Sequence, residues 1–327
     1  MASRPLDARA LRRHHERLSR QPAPWLHIEV ARRMADRLGI LKRAPKSIID
    51  WGAPLGGSEA ALRAACPDAR RIAVRDRLLP EDAIATAATR VVAPATGGAG
   101  AGATGWWARR WFAGRGATVE APLRGESDLR DGEADLLWSN MALHHHDEPQ
   151  AVFARWQRWL AVDGILMFST LGPGSLETLR RLYRREGWSS PHAPFVDMHD
   201  LGDMLVHAGF ADPVMDQEVL TLTWTTPDEA LGELRQLGGN ADASRHAGLR
   251  TPRWRARLLH ELAHAAAPQP GGRIALEFEV VYGHAVRAAP RAALAAETTV
   301  PLADLRSMLR SRRGSPGALG GVGKPTR

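Results

Sequence analysis

The run Asp50-Trp51-Gly52-Ala53-Pro54-Leu55-Gly56-Gly57 follows an apolar stretch and precedes a helical one. A glycine turn at a helix N-terminus lets backbone N–H groups approach a polar ligand closely. Pro54 interrupts that turn. Proline fixes φ at about −65°, removes one donor and disfavours the helical region for Ala53, so a ligand is expected to be held less tightly than by an all-glycine loop. Asp76 ends the next expected strand, where a carboxylate can accept hydrogen bonds from ribose hydroxyls; its neighbours Arg75 and Arg77 suit a solvated loop equally well. Ser139-Asn140 and Ser169-Thr170 close two further expected strands. Ligands sit outside the carboxyl ends of parallel strands, so all these groups would face one crevice. The run His144-His145-His146-Asp147-Glu148 invites a metal, but consecutive side chains diverge by ~100° on a helix and alternate on a strand. No metal site is expected. The run reads instead as a helix cap, Asp147 ahead of Pro149, with His144 near a substrate.

The elements that must position these residues follow from punctuation and periodicity. Asp135 to Trp138, a helix carrying Val152, Phe153, Trp156 and Leu160, and Ile165 to Phe168 form a strand-helix-strand unit, with Trp156 and Trp159 as packing residues. Strands are expected at Lys46 to Asp50, Arg71 to Val74, Ala117 to Val119, Val214 to Trp224 and Ile274 to His284. Helices are expected at Pro24 to Leu41, Ser175 to Glu186, Met198 to Ala208 and Pro227 to Leu237. Thr225 and Thr226 are capping candidates for the last of these. The Gly/Ala/Trp-rich stretch of about 91–116 reads as an insertion, 301–313 as a short amphipathic helix, and 314–327 as disordered tail. The fold class is α/β, a doubly wound, mostly parallel sheet with an antiparallel C-terminal edge.

DLLWSN, ALHH and FSTLGPGSLETL, together with PFVDMHDLGDMLVHAGF, LRQLGG and EVVYGHA, resemble the class I S-adenosylmethionine methyltransferases, and among them the malonyl-acyl-carrier-protein O-methyltransferases of biotin synthesis. The resemblance runs from Ser47 to Arg287. It implies a Rossmann-like sheet and S-adenosylmethionine as cofactor, bound by Asp50, Gly52 and Gly56 of the D-x-G-x-G-x-G pattern, by Asp76, and by Ser139 and Asn140. An acid after the third expected strand would lie near the adenine, Glu120 being nearest and Glu126 and Asp128 further on. Arg235 matches a family arginine and would hold the substrate carboxylate with His144 nearby. Two alternatives stay open: a methyltransferase of another small carboxylic acid, and a noncatalytic binding or assembly protein on the same sheet, which Pro54 favours.

Of the net charge of +8, residues 1–46 carry +8 and residues 291–327 carry +5, which leaves 47–290 at −5. The basicity is terminal. Residues 1–46 read as a basic helical segment, 47–290 as the methyltransferase-like domain and 291–327 as a basic tail. The basic helix Arg9 to Arg37 suits an acidic partner such as an acyl carrier protein bearing a small acyl group. No aromatic RNA-binding signature, zinc-finger spacing or helix-turn-helix supports nucleic acid. The single Cys66 excludes an intramolecular disulfide. No run approaches the ~18 apolar residues of a membrane span, and the Arg-rich N-terminus lacks a signal-peptide core. A cytoplasmic enzyme is expected.

Overall fold

The computed structural model describes residues 5–41, 43–79, 123–265 and 272–289, together with 302 and 304. The chain divides into two compact units, Met1–Ala289 and Pro290–Arg327. The first holds a six-stranded sheet of order β2-β1-β3-β4-β6-β5, built from β1 (Ser47–Trp51), β2 (Arg70–Val74), β3 (Ala134–Ser139), β4 (Leu160–Leu171), β5 (Phe210–Trp224) and β6 (Ile274–Arg287). The pairs β1/β2, β1/β3 and β3/β4 are parallel, whereas β6 runs antiparallel to both β4 and β5. The chain leaves β1 for β2 on one side and returns to β3 on the other. That reversal opens a crevice at the carboxyl ends of β1 and β3.

Strand periodicity sorts the core onto two faces. In β1, Ile48 joins the cluster containing Leu26, Val30 and Met34 of α2 (Trp25–Asp36), Leu62 of α3 (Glu59–Ala65) and Leu179 and Leu182 of α5 (Glu177–Arg185). Ile49 and Trp51 join Val152, Phe153 and Trp156 of α4 (Pro149–Trp159) and Leu201 and Leu205 of α6 (Met198–His207). Trp156 and Trp159 are packing residues, both buried. Each such side chain contributes about 1.5–3 kcal/mol, enough to fix the strand ends where the polar residues emerge.

Helices α7 (Pro227–Gln236) and α8 (Pro252–Ala265) cover the end of the first face, together with α1 (Ala8–Ser19). Thr226 caps α7 in a box with Glu229, as the Thr-Thr-Pro run suggests. Three expectations need correction. The basic helix Arg9 to Arg37 is two helices, because Pro22 and Pro24 sit where a continuous helix would need free N–H groups. Leu160, expected on the helix with Val152, Phe153 and Trp156, opens β4 instead, and helix α8 has no counterpart in the sequence reading. Glu148, not Asp147, occupies the cap position of α4, and it makes no side-chain cap bond; Pro149 itself starts the helix. The expected strand Ala117 to Val119, the 91–116 insertion, Glu120 and the segments 301–313 and 314–327 lie outside the described residues, apart from 302 and 304.

Candidate functional site

The loop after β1 is a single helical turn, Ala53–Gly56, with Gly52 as its N-cap at φ 75°. The Gly52 N–H donates to Val74 O of β2 at 2.9 Å. Pro54 is the second residue of that turn. There the N–H is not needed by the helix and the fixed φ is already helical, so the loop is built around proline. Ala53 is helical despite preceding it. A side chain on Gly57, at φ 62°, would stand 2.7 Å from Ala23 Cβ, which lets α2 close onto the loop. Asp50 is engaged by β2. Its Oδ2 accepts from Arg71 Nε and Nη2 at 2.9 and 2.7 Å, and burial pushes the carboxyl up against the pull of Arg71.

Asn140, at the end of β3, ties three segments together. Its Nδ2 donates to His27 O of α2 at 2.8 Å and to Gly56 O at 2.6 Å, while its Oδ1 accepts from Ser169 Oγ of β4 at 2.7 Å. The Met141 N–H in turn donates to Ser169 Oγ at 3.1 Å. Both amide donors are therefore spent on protein. His27 completes the clamp from α2: burial lowers its pKa to about 4, and the neutral ring donates its Nδ1–H to Leu55 O at 2.8 Å. Ser139 is fully buried and its Oγ has no partner among the described residues. The neighbouring Gly172-Pro173-Gly174-Ser175 turn serves the sheet rather than a ligand, with Gly172 N and Ser175 Oγ donating to Glu279 O of β6.

Asp76 is buried at the end of β2. Its Oδ1 accepts from Leu78 N at 2.9 Å and its Oδ2 lies 2.8 Å from His146 Nε2. Burial pushes this carboxyl up, but His146, His15 and the Leu78 N–H outweigh it and hold the pKa below the usual value. His15 Nδ1 stands 4.0 Å away. Burial lowers His15 to about 4, so this contact is no ion pair at neutral pH. Beside it, His145 meets His14 and His15 edge-to-face at ring separations of 4.6 and 4.8 Å, and His14 and His15 lie tilted at 5.7 Å. Burial lowers His14 to about 3 and His145 well below its ordinary value.

Both ring nitrogens of His14 and of His15, and Nδ1 of His145, are buried without a partner among the described residues. A buried polar atom left so costs about 1–3 kcal/mol. Such a set is retained where something else supplies the bonds. A buried carboxylate, a glycine-capped turn and orphaned ring nitrogens in one crevice suit a nucleoside bearing a ribose diol. Residues Asp76, Gly52, Gly56, His14 and His15 therefore fit S-adenosylmethionine in kind, although a diol must compete with His146 for Asp76. Glu126, a candidate acid for the adenine, accepts from Trp51 Nε1 at 2.9 Å and pairs with Arg155.

Beside the histidines lies a cavity of about 280 Å³, mostly apolar, between α1, α2, α5, α7 and α8. His144 lines it, 3.4 Å from Thr170 Oγ1. Arg235, at the end of α7, lines it too and is exposed, so the cavity reaches the surface there. The roof is α1. It is fastened to the segment after α7 by Asp7 N to Ala241 O at 2.8 Å and by the Asp7–Arg245 pair. Gly238, at φ 147°, has no room for a side chain because His14 occupies the space. Sequence reasoning missed His14 and His15 as site residues. Their signal is the spacing Leu11, His14, His15, Leu18, one helical stripe whose middle members are titratable. No helix among the described residues is long and apolar enough to cross a membrane, and none of their His, Cys, Asp and Glu side chains group to hold a metal ion.

Residues 107–168 match a family model described as a methyltransferase domain. The chain is 36% identical to the malonyl-[acyl-carrier protein] O-methyltransferase of Laribacter hongkongensis, over 82% of this chain and 85% of that protein. It is 33% identical to the enzyme of that name from Nitrosospira multiformis, over 88% and 92% of the two chains. Against that of Gallionella capsiferriformans the identity is 34%, over 88% and 93%.

Proposed function

Because the chain belongs to the family of malonyl-[acyl-carrier protein] O-methyltransferases, we propose that it transfers a methyl group from S-adenosylmethionine to the free carboxylate of a malonyl thioester on an acyl carrier protein, a step of biotin synthesis in the cytoplasm. The observation that carries this reading is the 36% identity over 85% of the Laribacter hongkongensis protein. When bound, S-adenosylmethionine supplies an electrophilic methyl group. The protein's own share is modest in chemistry and large in positioning. A carboxylic acid with a pKa of about 4 is already ionised at neutral pH, so no residue need act as base. Arg235 orients that carboxylate from the cavity rim, and His144, within reach of Thr170 Oγ1, lines the inner wall. The apolar lining excludes water that would solvate the anion and slow its attack. Because Arg235 is exposed, its hold on the ground state stays weak, which limits the loss of reactivity.

Asp76, Gly52 and Gly56 are assigned to the cofactor, and Asp50, Ser139 and Asn140 to the walls that hold them in place. The noncatalytic alternative loses its motive, since Pro54 sits where a helical turn accepts proline. Incubation of the purified protein with S-adenosylmethionine and malonyl carrier protein, followed by mass spectrometry of the carrier, tests the reading. A methyl ester on the malonyl group is expected. An unmodified carrier in the presence of a protein that binds S-adenosylmethionine would overturn it.

A further inference from the structure

The two N-terminal helices use their arginines differently. In α2, Arg32 pairs with Glu29 and Asp36, Arg33 with Glu29 and Glu218, and Arg37 continues the row by pairing with Asp216 and lying over the Tyr282 ring at 3.8 Å. Those charges are consumed inside the molecule. Along α1, Arg9, Arg12, Arg13 and Arg17, with Arg20 at its end, recur at the three- and four-residue spacing of one helical face. All five are exposed, and none has an ion-pair partner among the described residues. Glu16 is the lone acid in the stripe. Arg17 reaches across to donate to Arg235 O at 3.3 Å, so the stripe ends beside the exposed arginine at the cavity rim.

Resting on the proposed function, we infer that the outer face of α1 is the docking surface for the acidic acyl carrier protein. The helix has two opposed jobs. Its inner stripe, Leu11 and His14, lines the cavity, whereas its outer stripe offers an uncompensated row of guanidinium groups. A carrier gripped on the outer face has its thioester-bearing arm within reach of the opening at Arg235. Charge complementarity selects this partner, because arginines held free of internal carboxylates retain their full attraction for external ones. Helix α2 contributes little to docking, because its arginines are paired with carboxylates of the same molecule.

The test is direct binding of purified acyl carrier protein, in apo form without its arm and in malonylated form, to the full-length protein by calorimetry. The double variant Arg12→Glu/Arg13→Glu is expected to weaken both complexes at least tenfold while S-adenosylmethionine affinity changes less than twofold. Arg32→Gln in α2 should change carrier affinity less than twofold. If the charge reversal fails to fold, Arg12→Gln/Arg13→Gln should still cost threefold or more, and raising salt should weaken the parent more than this variant. Unchanged affinity in the α1 variants, an equal loss in Arg32→Gln, no carrier binding by the parent, or tighter binding of a random-sequence RNA oligonucleotide would each overturn the inference. Carrier binding that obeys these expectations without methyl transfer would leave the docking face standing and remove the proposed reaction.

Discussion

The crevice has two sides that solve the problem of buried polar atoms in opposite ways. On the β3–β4 side, Asn140, Ser169, Met141 N and the carbonyls of Gly56 and His27 satisfy one another. There Ser139 Oγ alone has no partner among the described residues; on the β2–α1 side, five ring nitrogens of His14, His15 and His145 have no hydrogen-bond partner among them. A closed network rigidifies, and an open one marks where outside bonds are wanted. The residues that catch the eye in the sequence are therefore largely scaffold. The unpartnered nitrogens include those of a histidine pair in a basic N-terminal helix.

The sharpest way to break this contrast is Asn140→Ala. The change removes the donor held by Gly56 O and His27 O and the acceptor of the Ser169 hydroxyl, and roughly 2–4 kcal/mol of stability should be lost. Urea unfolding reads the effect. A loss below about 1 kcal/mol would mean that the strand-end amide is not the clamp, and that it had been free for a ligand after all.

The histidine side is tested with protons. In the folded state His15 and His27 are lowered to about 4 and His14 to about 3, against 6.5 when exposed. Below pH 6.5 the unfolded chain takes up protons that the folded one refuses, so stability falls as pH drops from 6.5 toward 4. Between pH 7 and pH 5 each site contributes at most about 2 kcal/mol. The folded rings are all neutral in this window, so the contributions add, and a total loss of at least roughly 2–3 kcal/mol is expected from urea melts at the two pH values. Asp76, held low, adds its own loss only below about pH 3.8. A flat profile from pH 7 to 5 would show that the histidines are not buried neutral.

Sequence legibility follows the same divide. The β3–α4–β4 unit and its terminal polar residues can be read because every signal is local: an apolar run, a proline-started helix, a glycine turn. The partners of Asn140 come from α2, the β1 loop and β4, 29 to 113 residues away, and nothing local announces them. The inner face of α1 hides for a different reason, although the segment itself reads as helical. Two of its buried residues are histidines, so the apolar stripe that marks a packed face is diluted, while the arginines outside it read as a charge run. Charge counting finds the basic segment but not that α2 spends its arginines internally, since Glu218 and Asp216 lie on β5.

Asp76→Ala addresses the ligand directly. The substitution removes an acceptor worth about 1.5–3 kcal/mol to a charged hydrogen bond, and S-adenosylmethionine affinity should fall tenfold or more by calorimetry. Part of that loss is returned, because His146 no longer has to be displaced from Oδ2. An unchanged affinity would move the ribose anchor elsewhere in the crevice and leave the His15–Asp76–His146 group as structure alone.

The smallest effect is expected at Pro54, the residue that most resembles a defect in the sequence. An all-glycine pattern makes its replacement look like a gain: more freedom and one more N–H. The geometry argues otherwise, because the turn Ala53–Gly56 already has helical φ at Pro54 and its first residues make no use of that N–H within the helix. Glycine there adds conformational freedom to the unfolded chain and should lower stability by about 1 kcal/mol. The loop's position is set by Gly56 O and Leu55 O, which Asn140 and His27 hold, so S-adenosylmethionine affinity should stay within twofold. Calorimetry and urea melts on Pro54→Gly measure both quantities. An affinity gain of tenfold would show that the missing donor, and not the histidine side, limits binding, and the contrast between the two walls would then have to be redrawn around the loop.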